Sequence, residues 1–342
     1  MPIGTLPTLS PMPPDPASPL AIDLAGIRLR NPVILAAGTA GLLDELASVI
    51  DLSKIGGIVT KSITALPREG NKTWRILESR TAGAMLNAIG LANPGIEVFL
   101  KDTAPRAANV PCAVIGSIAG NSIDDYVKVA SAMGSIEAIK AVELNVSCPN
   151  VHGGTEFGAD PRALSELVKA TRAVLPRTRL FVKLSPITVG TPATIKDLAR
   201  AAIEPAGSSL SGPQQRPGAD AICISNTVPA MQIDVHTRKP RLSNVTGGLS
   251  GPAIHPIAVK LVHDAYRGIC KDTSTPIVAI GGVVTWEDAA EFVLAGATAC
   301  EMGTALFADP RSPLRVVAGL EKWVKSQGVS GISQLVGTVD LS

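Results

Sequence analysis

Aromatic residues make up only 3% of this 342-residue chain, so any core it builds must be mainly aliphatic. No apolar run approaches the roughly 20 residues that a membrane-crossing helix needs, which predicts a soluble protein. Cysteine is scarce and scattered. Cys112, Cys148, Cys223, Cys270 and Cys300 are odd in number and contain no CxxC pair, which excludes a disulfide framework and argues against a zinc or iron–sulfur site. That usage fits a reducing cytoplasm. An excess of one charge is also missing: 31 basic and 29 acidic residues are interspersed and leave a net charge of +2. Neither the basic stripe of a nucleic-acid binder nor a polybasic membrane patch is present. The start of the chain has no basic segment followed by an apolar one, so it does not read as a secretory signal. It carries seven prolines instead, at positions 2, 7, 11, 13, 14, 16 and 19. Proline at that density favours an extended tail over residues 1–19, with residues 20–342 forming one folded unit.

What is abundant is aliphatic: 46% of residues are apolar, and there are 32 glycines. Short Val/Ile-rich runs recur at 32–36, 57–61, 112–118, 141–145, 180–184, 221–225, 276–280 and 299–302. Helical patterns separate them at 123–133, 161–174, 194–203, 252–266 and 286–295. Several of these open on N-terminal signals: Ser122, Asp160 before Pro161, and Thr285 with Asp288 at the capping-box spacing. Near-continuous apolar strands alternating with helices predict a parallel sheet covered on both faces. Eight such units predict an α/β fold, a (β/α)₈ barrel. A short β-hairpin over 20–29 would close its floor. The long connections 62–95 and 227–251 follow strands, so both should emerge at the C-terminal mouth. The segment 204–218 precedes a strand and reads as a tolerated insertion on the opposite face.

Polar residues sit where the apolar strands end: Lys61 and Ser62, Asn145, Lys183, Ser225 to Thr227, Gly281 and Gly282, Gly303 and Thr304. Each alone has a bland explanation as a turn or a solvated side chain. Gathered at one mouth, they point to a single polar site. Glycine pairs ending the seventh and eighth strands are placed to hold a phosphate through backbone N–H groups. The GGLSG run at 247–251 can add further donors, and a phosphorylated cofactor across the barrel top follows. Cys148 lies in NVSCPN, just beyond the fourth strand and before a glycine-containing loop. Cys112, Cys223 and Cys300 read as small buried hydrophobes in strands, whereas Cys148 reads as a thiol on a loop able to serve as a base. His152 could tune that thiol, although a solvated loop histidine is the plainer reading. His236, His255 and His263 read as surface residues, and Trp74, Trp286 and Trp323 as packing.

These motifs resemble, in order, those of the class 1 dihydroorotate dehydrogenases, type B. The matching pieces run from NPVILAAGT (31–39) through TKSIT, PREGN, NAIGLANPG, NVSCPN, VKLSP, SNT, GGLSGPAI and GGV to MGTALFADP (302–310). The resemblance implies a TIM barrel that oxidises dihydroorotate to orotate in pyrimidine biosynthesis. FMN would be held by Gly38, Lys61, Ser62, Asn145, Lys183, Gly251, Gly281, Gly282, Gly303 and Thr304. Dihydroorotate would contact Lys61, Asn87, Ala88, Ile89, Gly90, Leu91, Asn145, Asn226 and Thr227. Cys148 would remove the proton at ring carbon 5 while hydride leaves carbon 6 for the flavin. A cysteine base points to class 1, because the membrane-bound class carries serine there. No metal is implied.

The resemblance also implies a homodimer core and a partner subunit carrying FAD and a [2Fe–2S] cluster that passes electrons to NAD. Ala37, Ser117 and Ser225 depart from the family pattern beside the flavin. Two other readings stay open: a flavoenzyme like dihydropyrimidine dehydrogenase, and a flavinless phosphate-binding barrel.

Overall fold

The computed structural model describes residues 18–79, 83–146, 157–187, 192–207 and 216–342. Residues 1–17 of the proline-rich tail, part of the 204–218 insertion, and both Cys148 and His152 lie outside the described residues. Eight parallel strands close into a barrel. We number them β1 Val33–Leu35, β2 Gly57–Val59, β3 Ala113–Ile118, β4 Ile139–Asn145, β5 Arg179–Lys183, β6 Ala221–Ile224, β7 Ile277–Ile280 and β8 Ala299–Met302. Each pairs with the next, and β8 pairs with β1 in register Cys300↔Val33. The α/β barrel expected from the alternating pattern is therefore the observed fold.

Burial explains the strand composition. Every residue of β1, β2, β6 and β8 is buried, because barrel strands face side chains within and helices without. Aliphatic side chains fill most of this space, with Tyr126, Phe99, Phe181 and Phe292 the largest fully buried groups. The helices begin where their caps predicted. Ser122 Oγ accepts from Asp125 N–H at 3.2 Å ahead of α1 Ile123–Gly134. Asp160 does the same for Arg162 N–H ahead of α2 Pro161–Ala173. Complete capping boxes open α3 Ile195–Ile203 and α5 Trp286–Ala295, with α4 His255–Ala265 between them in the chain. A cap of this kind contributes about 1 kcal/mol each.

The two poles of the barrel differ. At the N-terminal end, strands Ile22–Leu24 and Ile27–Leu29 pair antiparallel as the expected hairpin. Its turn lies against Arg179, the first residue of β5, which puts the hairpin at the barrel floor. At the mouth, the two long connections do not remain separate. Segments Val228–Ala230, Gly247–Ser250, Met85–Asn87 and Ile76–Glu78 join in one antiparallel sheet, in that order. At three or four residues each, these strands carry no periodic signal of their own. Among the described residues, no helix is long and apolar enough to cross a membrane.

Candidate active site

Because all eight strands run the same way, their C-terminal residues converge on one mouth. Lys61, Ser62, Asn145, Lys183, Asn226 and Thr227 all lie there, just at or beyond the ends of β2, β4, β5 and β6. A continuous hydrogen-bond chain joins most of them. Ser117 and Ser62 hydroxyls are 2.9 Å apart, and Asn145 Nδ2 donates to Ser62 Oγ at 3.3 Å. Asn226 Nδ2 donates to Asn145 Oδ1 at 3.0 Å, and Asn226 Oδ1 accepts from Thr227 N–H at 2.8 Å. The Asn145 backbone is fixed from outside: Tyr126 of α1, fully buried and edge-on to Phe157, donates its hydroxyl to Asn145 O at 2.6 Å.

The mouth sheet brings in the second group. Asn87 Nδ2 donates to Gly248 O at 3.3 Å, and Gly248 packs so closely on the Thr227 side chain that a Cβ there would overlap it. The run from Ala88 to Leu91 follows directly. Asn71 Nδ2 donates to Ala88 O, and Ile89 O accepts from Asn71 N–H. Leu91 takes φ +57, a left-handed conformation uncommon for leucine. Asn93 stabilises this arrangement. It is buried, donates to Leu91 O at 2.7 Å, and accepts from the Thr64 and Gly95 N–H groups. Asn93 was not among the expected site residues, although it stands inside the NAIGLANPG motif.

The glycine turns form a third group. Gly282, at φ +72, packs against the Gly251 carbonyl and the His255 Cβ so tightly that any side chain would clash. Gly303 faces Ala36 and Thr39 beside β1, and Gly38 lies next to Lys61 Nζ. The expectation for His255 is overturned. It is 8% exposed, its Nδ1 lies 2.8 Å from Gly281 O, and its Nε2 lies 3.2 Å from Glu291 Oε2. It sits at the start of α4, under the turn that ends β7, so helix and turn bury it together. Trp74 departs the other way: just ahead of the strand Ile76–Glu78, it is 71% exposed and packs no core.

Two lysines enter this mouth with different surroundings. Burial lowers the proton affinity of Lys61, and Arg75 lowers it further. Burial also pulls Lys183 down, but the carboxylates of Glu143 and Glu301 outweigh it and hold the ammonium firmly charged. Lys183 Nζ is 3.2 Å from Glu301 Oε2 and 3.9 Å from Glu143 Oε1. Both acids escaped the sequence reading. Their only signal was a charge within an apolar strand, in AVELN and ACEMG.

A family model described as dihydroorotate dehydrogenase matches residues 19–324. The chain belongs to that family. It is 40% identical over 322 residues to the catalytic subunit of a dihydroorotate dehydrogenase B (NAD(+)) from Trichlorobacter lovleyi, covering 94% of this chain and 98% of the relative. The corresponding subunit from Geobacter sulfurreducens is 40% identical over 323 residues, covering 94% and 98%. A putative dihydroorotate dehydrogenase A (fumarate) from Aquifex aeolicus is 42% identical over 319 residues, covering 93% and 97%. Membership makes this chain a flavin-dependent oxidoreductase that acts on a CH–CH bond.

Proposed function

We propose that this chain oxidises dihydroorotate to orotate on FMN, with Cys148 as the base and a partner subunit as the route for electrons to NAD. The observation that carries the reading is the hydrogen-bonded run Asn145, Asn226 and the Thr227 backbone at the mouth of a family barrel, with Asn87 held beside it through Gly248. Amide side chains donate and accept at once, which matches the alternating N–H and C=O edge of a dihydropyrimidine and its carboxylate.

The mouth suits FMN on two counts. Gly251, Gly281, Gly282 and Gly303 end neighbouring turns as bare backbone, so their N–H groups can close on a phosphate with Thr304 beside them. Lys183 offers a permanently charged ammonium at the end of β5, suited to the electron-rich edge of a flavin ring. Gly38, Lys61, Ser62 and Asn145 would complete the cofactor contacts. FMN, when bound, supplies the acceptor for the hydride that leaves ring carbon 6.

The protein's own part is binding and proton transfer. Asn87 to Leu91, Asn145, Asn226 and Thr227 hold the ring, and Lys61, whose proton affinity burial lowers, stands by the substrate carboxylate. Cys148, as thiolate, takes the proton from carbon 5, so that loss of that proton and of the carbon 6 hydride leaves a C=C bond. Cys148→Ser tests this. Flavin should stay bound, while its bleaching by dihydroorotate under anaerobic conditions should slow by about 10²–10⁴-fold at neutral pH, the usual weight of a general base. Unchanged bleaching would remove Cys148 from the mechanism. Offering NAD with the partner subunit, fumarate or a quinone in turn then identifies the acceptor. Both NAD- and fumarate-named relatives match this chain closely, and turnover with fumarate alone would replace the partner-subunit reading.

A further inference from the structure

Beneath Lys183 the barrel interior holds a cluster that the reaction does not use directly. Glu143 of β4 and Glu301 of β8 are 0% and 1% exposed, and their carboxylates lie with the Cys223 thiol of β6 within 4.8 Å of one another. One cation, Lys183, serves both acids. Ser117 donates to Glu143 Oε1 at 3.2 Å, and the Cys223 thiol also lies within hydrogen-bonding reach of Glu143. Glu143 Oε2 and Glu301 Oε1 are buried with no hydrogen-bond partner. Two carboxylates, one ammonium and two unsatisfied oxygens do not balance in a medium of low dielectric. A trio of this type could in outline ligate a metal, but Lys183 Nζ already stands against Glu301 and supplies the positive charge.

We propose that Glu143 and Glu301 share one proton, so that the cluster with Lys183 is neutral, and that both are positioning residues governing how strongly Lys183 holds the cofactor. The shared proton gives an orphaned oxygen a donor and removes the repulsion between two acids at close range, as in other carboxyl pairs that cannot both ionise. It also frees Lys183. Facing a single carboxylate, the ammonium retains attraction for an anionic group at the mouth. Facing two, it is over-neutralised, and the pair repels that group.

The surroundings leave little else to respond. Lys183 and Cys223 are the ionisable groups facing the pair from β5 and β6, and the described β1, β2, β3 and β7 contribute none. Burial, then both carboxylates, keeps the Cys223 thiol protonated. Burial and then Glu143, opposed by Lys183, push the Glu301 carboxyl up to about 8. Ser117, one of the departures from the family pattern, joins the pair to Ser62 and Asn145 and so connects it to the mouth.

The role toward FMN rests on the proposed function, whereas the shared proton does not. Two measurements on the 342-residue chain separate them. Infrared spectroscopy should show the carbonyl stretch of a buried protonated carboxylic acid, lost in both Glu143→Gln and Glu301→Gln, because a single remaining acid ionises against Lys183. A band that survives Glu143→Gln would mean an isolated acid and overturn the sharing, as would no band at all. In the second measurement, FMN affinity of the wild type should fall about tenfold or more as pH rises through about 8, the effect of one added charge acting through a partly buried medium. Either Gln variant should flatten that profile. A profile unchanged by Glu301→Gln would overturn the coupling to Lys183. Failure of the wild type to bind FMN at any pH would sink the proposed function, and with it the coupling, while the infrared result still decides the proton.

Discussion

Each pole of this barrel holds a charged trio, fully buried at the mouth end and partly open at the floor, where Arg179 is 35% exposed, and the two are near opposites. At the floor, one acid meets two bases: Asp220 lies 2.7 Å from Arg172 and 3.4 Å from Arg179. At the mouth end, one base meets two acids, Lys183 with Glu301 and Glu143. The floor is richly tied to backbone. Asp220 accepts from Leu180 N–H at 2.8 Å, and Arg172 donates to Leu175 O and to Thr178 O. The mouth trio is tied to other side chains instead, and two of its carboxylate oxygens are bare, against one nitrogen, Arg172 Nε, at the floor. Charge gathered at the two poles thus serves two purposes. A trio stitched to the chain around it fixes a turn, whereas a trio left short of partners keeps interaction capacity for something at the mouth.

The sharpest way to break this contrast is at the floor. Asp220→Ala strands Arg172, which cannot shed its proton, and removes the acceptor for Leu180 N–H. Stability should fall by about 3–5 kcal/mol, the usual cost of breaking a buried pair. Flavin content per folded molecule should not change. Urea unfolding with flavin quantification checks both, and a loss below about 1 kcal/mol would show that the floor trio is not structural.

Lys183→Ala should invert that pattern. The acids left behind can take up protons, so the stability loss should be smaller than for Asp220→Ala. FMN should instead bind about 10–100-fold more weakly, as expected when one charged hydrogen-bond partner worth about 1.5–3 kcal/mol is lost. Equilibrium titration of FMN fluorescence decides it. Undiminished affinity would place Lys183 outside the cofactor's reach.

A pH series separates the poles without removing any side chain. The Glu301 carboxyl is raised from the ordinary 4.5 to about 8, so between those values the folded chain holds more protons than the unfolded one. Stability therefore falls as pH rises through that window, and the contribution is lost above about 8. The slope should reach about 1.4 kcal/mol per pH unit at most. Urea midpoints should follow this fall in the wild type and lose it in Glu301→Gln. Parallel curves for the two proteins would place the proton elsewhere.

How much of this was legible in the sequence follows from where each signal lies. The strands were readable because each is a nearly unbroken apolar run, and their edges fell within two residues of the observed ones, as at 141–145 against Ile139–Asn145. Lys61, Asn145, Lys183 and Asn226 were legible for the same reason: a polar residue closing an apolar run stands out. The mouth sheet was not, since its strands are three or four residues long and pair Asn87 with Gly248, a partner far along the chain with no β pattern of its own. Glu143 and Glu301 were not, because each is a single charge inside an apolar strand, two residues before the more conspicuous Asn145 and Gly303 at the strand end. His255 failed differently. Its burial comes from the β7 turn folding over the start of α4, a contact between segments 26 residues apart that no local pattern records.

Exposed charge pairs calibrate what burial adds at both poles. Lys325 and Glu321 approach to 2.7 Å on the last helix, Ser312–Ser326, with spacing i,i+4 and side chains 64% and 46% exposed. Water solvates both groups when they separate, and salt screens them when they meet, so Glu321→Ala should cost no more than about 0.5 kcal/mol. The distance matches that of Arg172 and Asp220, yet the expected effect is several times smaller. If thermal denaturation gave similar losses for Glu321→Ala and Asp220→Ala, proximity rather than desolvation would govern these pairs. The same result would remove the physical reason for a shared proton in the barrel core.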